Sequence, residues 1–77
     1  MKTSTFTYDG RTLEVRAVLS EEEWSVRVFE NDNQTSLAVY SSTTEIVRDA
    51  NLQGLDIVEC LMETAQQDFI RWSDEMK

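Results

Sequence analysis

Three consecutive carboxylates beside a tryptophan, in the stretch SEEEW from Ser20 to Trp24, are the residues best suited to acid–base chemistry. Paired carboxylates act as general acid and general base when their surroundings push their pKa values apart. These three lie at a tip between two expected strands, where water reaches every side chain. We therefore interpret the stretch as a solvated turn and expect no catalytic residues there.

The stretch ENDNQTS, residues 30–36, offers the oxygen ligands that Ca²⁺ prefers. A calcium loop of the EF-hand type also needs a central glycine and a glutamate at its twelfth position, and both are missing. The chain has no histidine and a single cysteine, Cys60, which excludes an imidazole base and a zinc site of several Cys or His ligands. We expect no metal, no cofactor and no enzymatic activity.

The chain is strongly acidic, with 15 acidic against 7 basic residues and a net charge of −8. Nucleic acid and anionic membranes attract clustered Lys and Arg, so direct binding to either is not expected. The charge permits a basic protein partner and also keeps a small protein soluble. No stretch approaches the ~20 apolar residues of a membrane span, and a lone thiol fits a reducing compartment, so we expect a cytoplasmic protein.

The first half of the chain alternates between apolar and polar residues, which is typical of strands. Asp9–Gly10 favours a type I′ turn between the first two. The last strand is expected to turn Leu37 and Val39 inward and Tyr40 outward. The pattern predicts an antiparallel meander of four strands over residues 3–8, 11–19, 23–30 and 37–41.

The second half has the three-and-four spacing of an amphipathic helix. We predict one long helix over residues 43–73, because a single apolar register runs from Ile46 to Trp72. Gly54 would then lie inside the helix, close to the sheet. Two helices are the alternative, with Gly54 as a left-handed cap and Asp56 starting a second helix.

These elements predict a two-layer α+β domain spanning residues 1–77, with the helix packed on one sheet face. The expected strand contribution to the core is Phe6, Tyr8, Leu13, Val15, Trp24, Val26, Val28, Leu37 and Val39. The expected helix contribution is Ile46, Ala50, Val58, Leu61, Ala65 and Phe69. One helix covers one face, so the other face of the sheet stays open.

The open face is predicted to carry arginine and aromatic side chains, which are common in protein–protein interfaces. Arginine, tyrosine and phenylalanine are enriched where proteins meet, because they bury large areas at modest entropic cost. An ordinary solvated face is the alternative interpretation. The predicted partner-binding residues are Arg16, Arg27, Phe29 and Tyr40.

A line of carboxylates follows the outer side of the predicted helix. At about 100° per residue, five of them fall opposite the apolar stripe: Glu45, Asp49, Asp56, Glu59 and Glu63. This line is the alternative partner-binding site, either for a basic protein or as an imitation of a phosphate backbone. It also fits the wet side of an ordinary amphipathic helix.

The end of the predicted helix carries Ile70 and Trp72, where the helix outruns the sheet. Either these last turns fray, or the two side chains pack against a second copy of the chain. A domain of 77 residues has a marginal core, which gives dimerisation a physical motive. A homodimer is therefore allowed.

From Glu23 onward the order is strand, turn, strand and helix, with EWSVRV in the first strand and TTEIVRDA opening the helix at Thr43. This order resembles the HicB-like antitoxins, over about half the chain. The resemblance implies a partial RNase-H-like arrangement, and a partner that is a small basic ribonuclease, bound and blocked. The family's Gly-Cys motif has no counterpart here, and no functional residue is carried over.

The function predicted from the residues and this resemblance is that of a small acidic, non-enzymatic protein-binding module. It would act as a bacterial or phage regulator or inhibitor of the antitoxin type. The alternative is a nucleic-acid mimic that inhibits its target through the acidic side of the helix.

Overall fold

The first two strands form a hairpin whose turn is set by Asp9 and Gly10. The computed structural model describes residues 1–35 and 39–76. In it, β1 (Lys2–Tyr8) pairs antiparallel with β2 (Arg11–Ser20). Asp9 and Gly10 have φ angles of 52° and 75°, the left-handed pair that a type I′ turn requires. The predicted hairpin is confirmed.

A second two-residue turn, Glu21–Glu22, leads from β2 into β3 (Glu23–Glu30). Both glutamates are left-handed, with φ angles of 50° and 64°. Such a conformation costs a residue other than glycine about 1–2 kcal/mol, so this tip is held in place by the strands around it. The three glutamates of the tip are exposed, as expected for a solvated turn.

The outer edge of β3 is occupied by two short strands. β4 (Asn33–Gln34) pairs with the end of β3, and β5 (Tyr40–Thr43) pairs with its beginning. The antiparallel sheet is confirmed, but its last strand lies later in the chain than residues 37–41. Leu37 and Ala38 lie outside the described residues.

The register of β5 corrects the predicted orientation of Tyr40. Tyr40 lies directly opposite Val26, a core residue, so its side chain is on the core face. Val39, expected inside, is 47% exposed. Because side chains alternate along a strand, a shift of one residue exchanges the two faces.

The helical half consists of two helices, α1 (Thr44–Leu52) and α2 (Ile57–Glu75), so the prediction of one continuous helix is wrong. After α1, the amide of Leu55 donates to the carbonyl of Ala50, and the amide of Gly54 donates to that of Asn51. With Gly54 at φ 82°, these bonds form a Schellman cap. Asp56 then caps α2 by accepting from the amide of Glu59 at 3.0 Å.

Replacing Gly54 by alanine distinguishes one helix from two, because the two interpretations predict opposite changes in the free energy of unfolding. Inside a continuous helix, alanine would stabilise the fold by about 1 kcal/mol. At the observed φ of 82° its Cβ meets no atom within 4 Å, yet the backbone is strained, so we expect a loss of about 1 kcal/mol. Urea unfolding measures the difference, with Gly10→Ala, at φ 75°, as the matched left-handed control. A more stable Gly54→Ala protein would contradict the cap.

The helices and one face of the sheet enclose a single apolar core. Its strand residues are Phe6, Leu13, Val15, Ala17, Val26 and Val28, and its helix residues are Val47, Val58, Met62, Ala65 and Phe69. The break corrects one expectation. Ile46, predicted in the core, is 53% exposed, whereas Val47 and Ala50 are buried. The break lets α1 turn a different face toward the core than one continuous helix would.

Helix α2 runs in the same direction as β1. Lys2 at the start of β1 lies 3.6 Å from Asp56, and the Tyr8 hydroxyl at the end of β1 donates to Asp74. The confirmed architecture is therefore an α+β domain with a helical layer on one sheet face. Neither helix in the described parts of the chain has the length and apolar character that a membrane crossing needs.

Candidate functional site

The face of the sheet turned away from the helices carries the residues of the candidate site, and we call it the open face. Alternation along the first three strands places twelve side chains on it: Thr3, Thr5, Thr7, Thr12, Glu14, Arg16, Val18, Ser20, Glu23, Ser25, Arg27 and Phe29. The register puts Arg16 directly opposite Arg27, and Glu14 directly opposite Phe29. The sheet thus brings together three of the four residues predicted for a partner-binding surface.

Arg16 is held on three sides. Its Nε donates to Oε1 of Glu14, its Nη2 donates to Oδ1 of Asp32, and its guanidinium carbon lies 4.3 Å from the centroid of the Phe29 ring. The hydrogen bonds to Glu14 and Asp32, in that order, raise the pKa of the guanidinium. A planar guanidinium over an aromatic face is a cation–π contact. These contacts fix the position of the Phe29 ring on the surface, and we call the group the Arg16 clamp.

Beside the clamp the open face has a depression of about 230 Å³. Its lining includes Thr5, Thr12, Glu14, Arg16, Phe29 and Asp32. Pockets for small molecules usually measure about 300–1,000 Å³ and enclose their ligand. The depression is smaller, and its size suits one side chain of a docked protein.

Arg27 differs from Arg16 in its surroundings. It is half-buried, and no ion pair or hydrogen bond joins its side chain to any residue in the described ranges. The two arginines face each other across neighbouring strands, where like charges repel. Glu14 and Asp32 neutralise Arg16 and so reduce the repulsion between the two arginines. The guanidinium donors of Arg27 are available to a partner.

Tyr40 is the predicted site residue that the structure removes from the open face. Its hydroxyl donates to Oδ2 of Asp68 on α2 at 2.5 Å, and Oδ1 of Asp68 accepts from Arg71 at 2.7 Å. Its ring packs against the core. Burial first, and the hydrogen bond to Asp68 second, raise the pKa of Tyr40 to about 12. Tyr40 joins the edge strand to the helix.

We expect Tyr40→Phe to change the alkaline stability of the protein. The pKa of Tyr40 is about 12 in the folded state against an ordinary value of 10.0, so its contribution is complete below pH 10 and is lost as the pH rises toward 12. Removing the hydroxyl should cost about 1–2 kcal/mol at pH 7. Urea unfolding at a series of pH values should show the gap between wild type and variant closing from pH 10 to 12. A gap that stays constant would contradict the contact.

The five carboxylates predicted as an acidic line do not share one helix. Glu45 and Asp49 lie on α1, Glu59 and Glu63 lie on α2, and Asp56 is the cap between them. Lys2 lies 3.6 Å from Asp56 and 3.5 Å from Glu59. The hydrogen bond from the Glu59 amide, together with Lys2, lowers the pKa of Asp56. All five are exposed, but the break divides the line and Lys2 partly neutralises two of its members.

A second depression, of about 430 Å³, lies along α2 and is lined by Cys60, Glu63, Thr64, Gln67, Asp68 and Arg71. Cys60 is exposed there. The described residues hold no group of three or more His, Cys, Asp or Glu side chains placed to bind a metal ion.

Glu14 and Asp32 are the site residues that the sequence did not indicate. Glu14 has a usable signal, since it lies two residues before Arg16 on the same face of one strand. Asp32 lies in the turn after β3, and its reach to Arg16 depends on the three-dimensional path of that turn.

Fold and site together define a class, a two-layer α+β domain with an uncovered sheet face that carries arginine and phenylalanine. Comparisons of the chain with protein-family models, with curated proteins and with solved structures find no match. The resemblance to HicB-like antitoxins accordingly stays a prediction.

Proposed function

We propose that the protein is a non-enzymatic protein-binding module that docks its partner on the open face. The observation that carries this proposal is Arg27, a half-buried guanidinium without an acidic partner in the described residues. Arginine is over-represented among residues that dominate binding energy, because its planar fork makes several directed hydrogen bonds at once. A partner that offers a carboxylate or backbone carbonyls would satisfy it.

The Arg16 clamp supports the same surface. Binding costs free energy when a mobile side chain must be ordered, about 0.5–1.5 kcal/mol for each one. Phe29 is already fixed by the guanidinium 4.3 Å above its ring, so packing a partner against it costs little further ordering. Phe29 and Arg27, two residues apart on the same face of β3, together provide an apolar anchor and a hydrogen-bonding anchor.

The net charge of −8 supports a basic partner. Long-range attraction raises the rate of encounter, whereas the short-range contacts determine how long the complex lasts. The antitoxin resemblance implies a small basic ribonuclease as the partner, and such a protein would be attracted by the negative charge of this chain. We accordingly propose a bacterial or phage regulator or inhibitor that works in the cytoplasm, and we expect it to bind neither nucleic acid directly nor membranes.

The nucleic-acid mimic is the second candidate. It is favoured by the exposure of Glu45, Asp49 and Glu63, none of which forms an ion pair within the described ranges. A mimic needs carboxylates at a regular spacing, and the break between the helices interrupts that spacing. This candidate is therefore the less supported of the two.

Co-purification from the native cell at low and high salt tests the proposal. Wild type, Phe29→Asp, and a variant with Asp49→Asn, Asp56→Asn and Glu63→Gln are compared side by side. The asparagine introduced by Asp56→Asn keeps a side-chain oxygen for the cap, so α2 should stay intact. A partner lost with Phe29→Asp and retained by the neutralised variant supports the open face. A partner lost with the neutralised variant, and released steeply by salt, supports mimicry instead.

A further inference from the structure

We infer that two copies of the chain join through their β1 strands, edge to edge, in an antiparallel pair. β1 is an outer strand of the sheet, and in the described parts of the chain its only partner is β2. This interface uses the backbone edge of the sheet, next to the open face on which the Thr5 side chain lies, and the inference does not depend on the proposed function. It also differs from the Ile70 and Trp72 contact that the sequence suggested for a dimer.

The hairpin turn determines which backbone groups of β1 face outward. In a two-residue hairpin the residues that flank the turn exchange both of their hydrogen bonds, and here these are Tyr8 and Arg11. Alternate residues back along β1 therefore also bond to β2. The N–H and C=O groups of Thr3, Thr5 and Thr7 face the free edge, and no backbone hydrogen bond occupies them within the described residues.

Beyond Lys2 at its first position, this edge lacks the devices that usually prevent pairing. Exposed edges are commonly interrupted by proline, by a bulge or by charged side chains. β1 has seven residues, with no proline, no glycine and an uninterrupted register against β2. The opposite edge of the sheet is built from two separate strands of two and four residues, β4 and β5. One edge is thus protected and the other is open.

Charge makes a second copy a suitable occupant. Two chains with a net charge of −8 repel each other over most of their surface, yet none of the 15 acidic residues lies in β1, whose only charge is Lys2. A pair centred on Thr5 places Thr3 opposite the second copy's Thr7, and Lys2 beside the second copy's Tyr8 and Asp9. The arrangement is self-complementary, as a two-fold interface requires.

The three outward threonines of each copy then meet in pairs. Each pair exchanges two backbone hydrogen bonds, and threonines directly opposite each other stabilise a sheet further. The two sheets become one, with both helical layers on the same side. The added burial strengthens a domain whose own core is marginal at this size.

Sedimentation equilibrium of the full chain over a range of concentrations tests the pairing. Wild type is expected to show twice the mass of one chain. Thr5→Pro removes an outward N–H that the monomer does not use, so it should fold and raise the dimer dissociation constant by at least about tenfold. Thr3→Lys with Thr7→Lys should do the same by charge, while Thr12→Lys, one strand further in, should not. A monomeric wild type, or a dimer that all the edge variants retain, would overturn the inference.

A cysteine at the two-fold centre tests the register and keeps the inference testable if the proline variant fails to fold. In a Cys60→Ser background, Thr5→Cys should form an intermolecular disulfide, since the two Cα atoms would lie about 5.5 Å apart. Thr12→Cys should not. Equal crosslinking of both variants would exclude pairing through β1.

Discussion

Truncation of Phe69 to alanine is expected to remove about 3–5 kcal/mol from the free energy of unfolding. Phe69 is 4% exposed and lies where α2 meets the hairpin. Its ring contacts Phe6 and Tyr8 edge to face, with centroids 5.9 and 6.1 Å apart, and the guanidinium of Arg11 lies 5.9 Å from its centroid. These ring contacts join β1 to α2, so their loss loosens the two layers from each other.

The loss expected for Phe69→Ala is large relative to the total free energy of unfolding. At about 0.05–0.15 kcal/mol per residue, a chain of this length has roughly 4–12 kcal/mol to lose. Urea unfolding followed by circular dichroism should therefore show a variant that has lost roughly a quarter or more of its original free energy of unfolding. Trp72→Ala is the matched control, because Trp72 is 52% exposed and contacts Phe69 at 6.4 Å from the outside. Equal losses in the two variants would contradict the placement of Phe69 at the centre of the core.

Replacement of Arg27 by alanine is expected to weaken partner binding by about 30-fold to several hundred-fold, the range of an interface hot spot. The reason is that a partner group placed to accept from Arg27 would be buried without a donor. Phe29→Asp should have an effect of similar size, because it removes the ring under Arg16 and adds a carboxylate opposite Glu14.

Calorimetric titration with the purified partner measures these changes, and Arg48→Ala provides the matched control. Arg48 is an exposed arginine on α1, so its loss changes the net charge equally and leaves the open face untouched. Equal weakening by Arg27→Ala and Arg48→Ala would show that only the total charge matters. Tyr40→Asp would not test binding, since it would place two carboxylates together where the Tyr40 hydroxyl bonds to Asp68.

The sheet was predictable where local chemistry and periodicity agree. Asp9–Gly10 has a strong preference for its turn, and the strands on either side alternate over seven and ten residues. β5 has only four residues, too few for alternation to determine its faces. Its register comes from the pairing of Tyr40 with Val26 and from Asp68, which lies 28 positions further along the chain.

The helix break was missed because the register of the apolar residues continues across it. Ala50, Gly54 and Val58 are spaced by four, as in an unbroken helix. The local signals at Gly54 and Asp56 favoured two helices, and in the structure these caps prevail over the spacing. The acidic line is divided between two helices for the same reason, since its geometry assumed one helix.

The central claim of this account is that a protein partner sits on the open face. Site-specific photo-crosslinking in the native cell tests it most directly, with a photoreactive side chain in place of Val18 on the open face or in place of Glu63 on α2. Val18 is 37% exposed and lies opposite Ser25 on the open face, so it can carry the probe without disturbing the core. The account predicts a crosslinked partner from position 18 and none from position 63. A partner captured only from position 63 would contradict it and move the binding site to the helices.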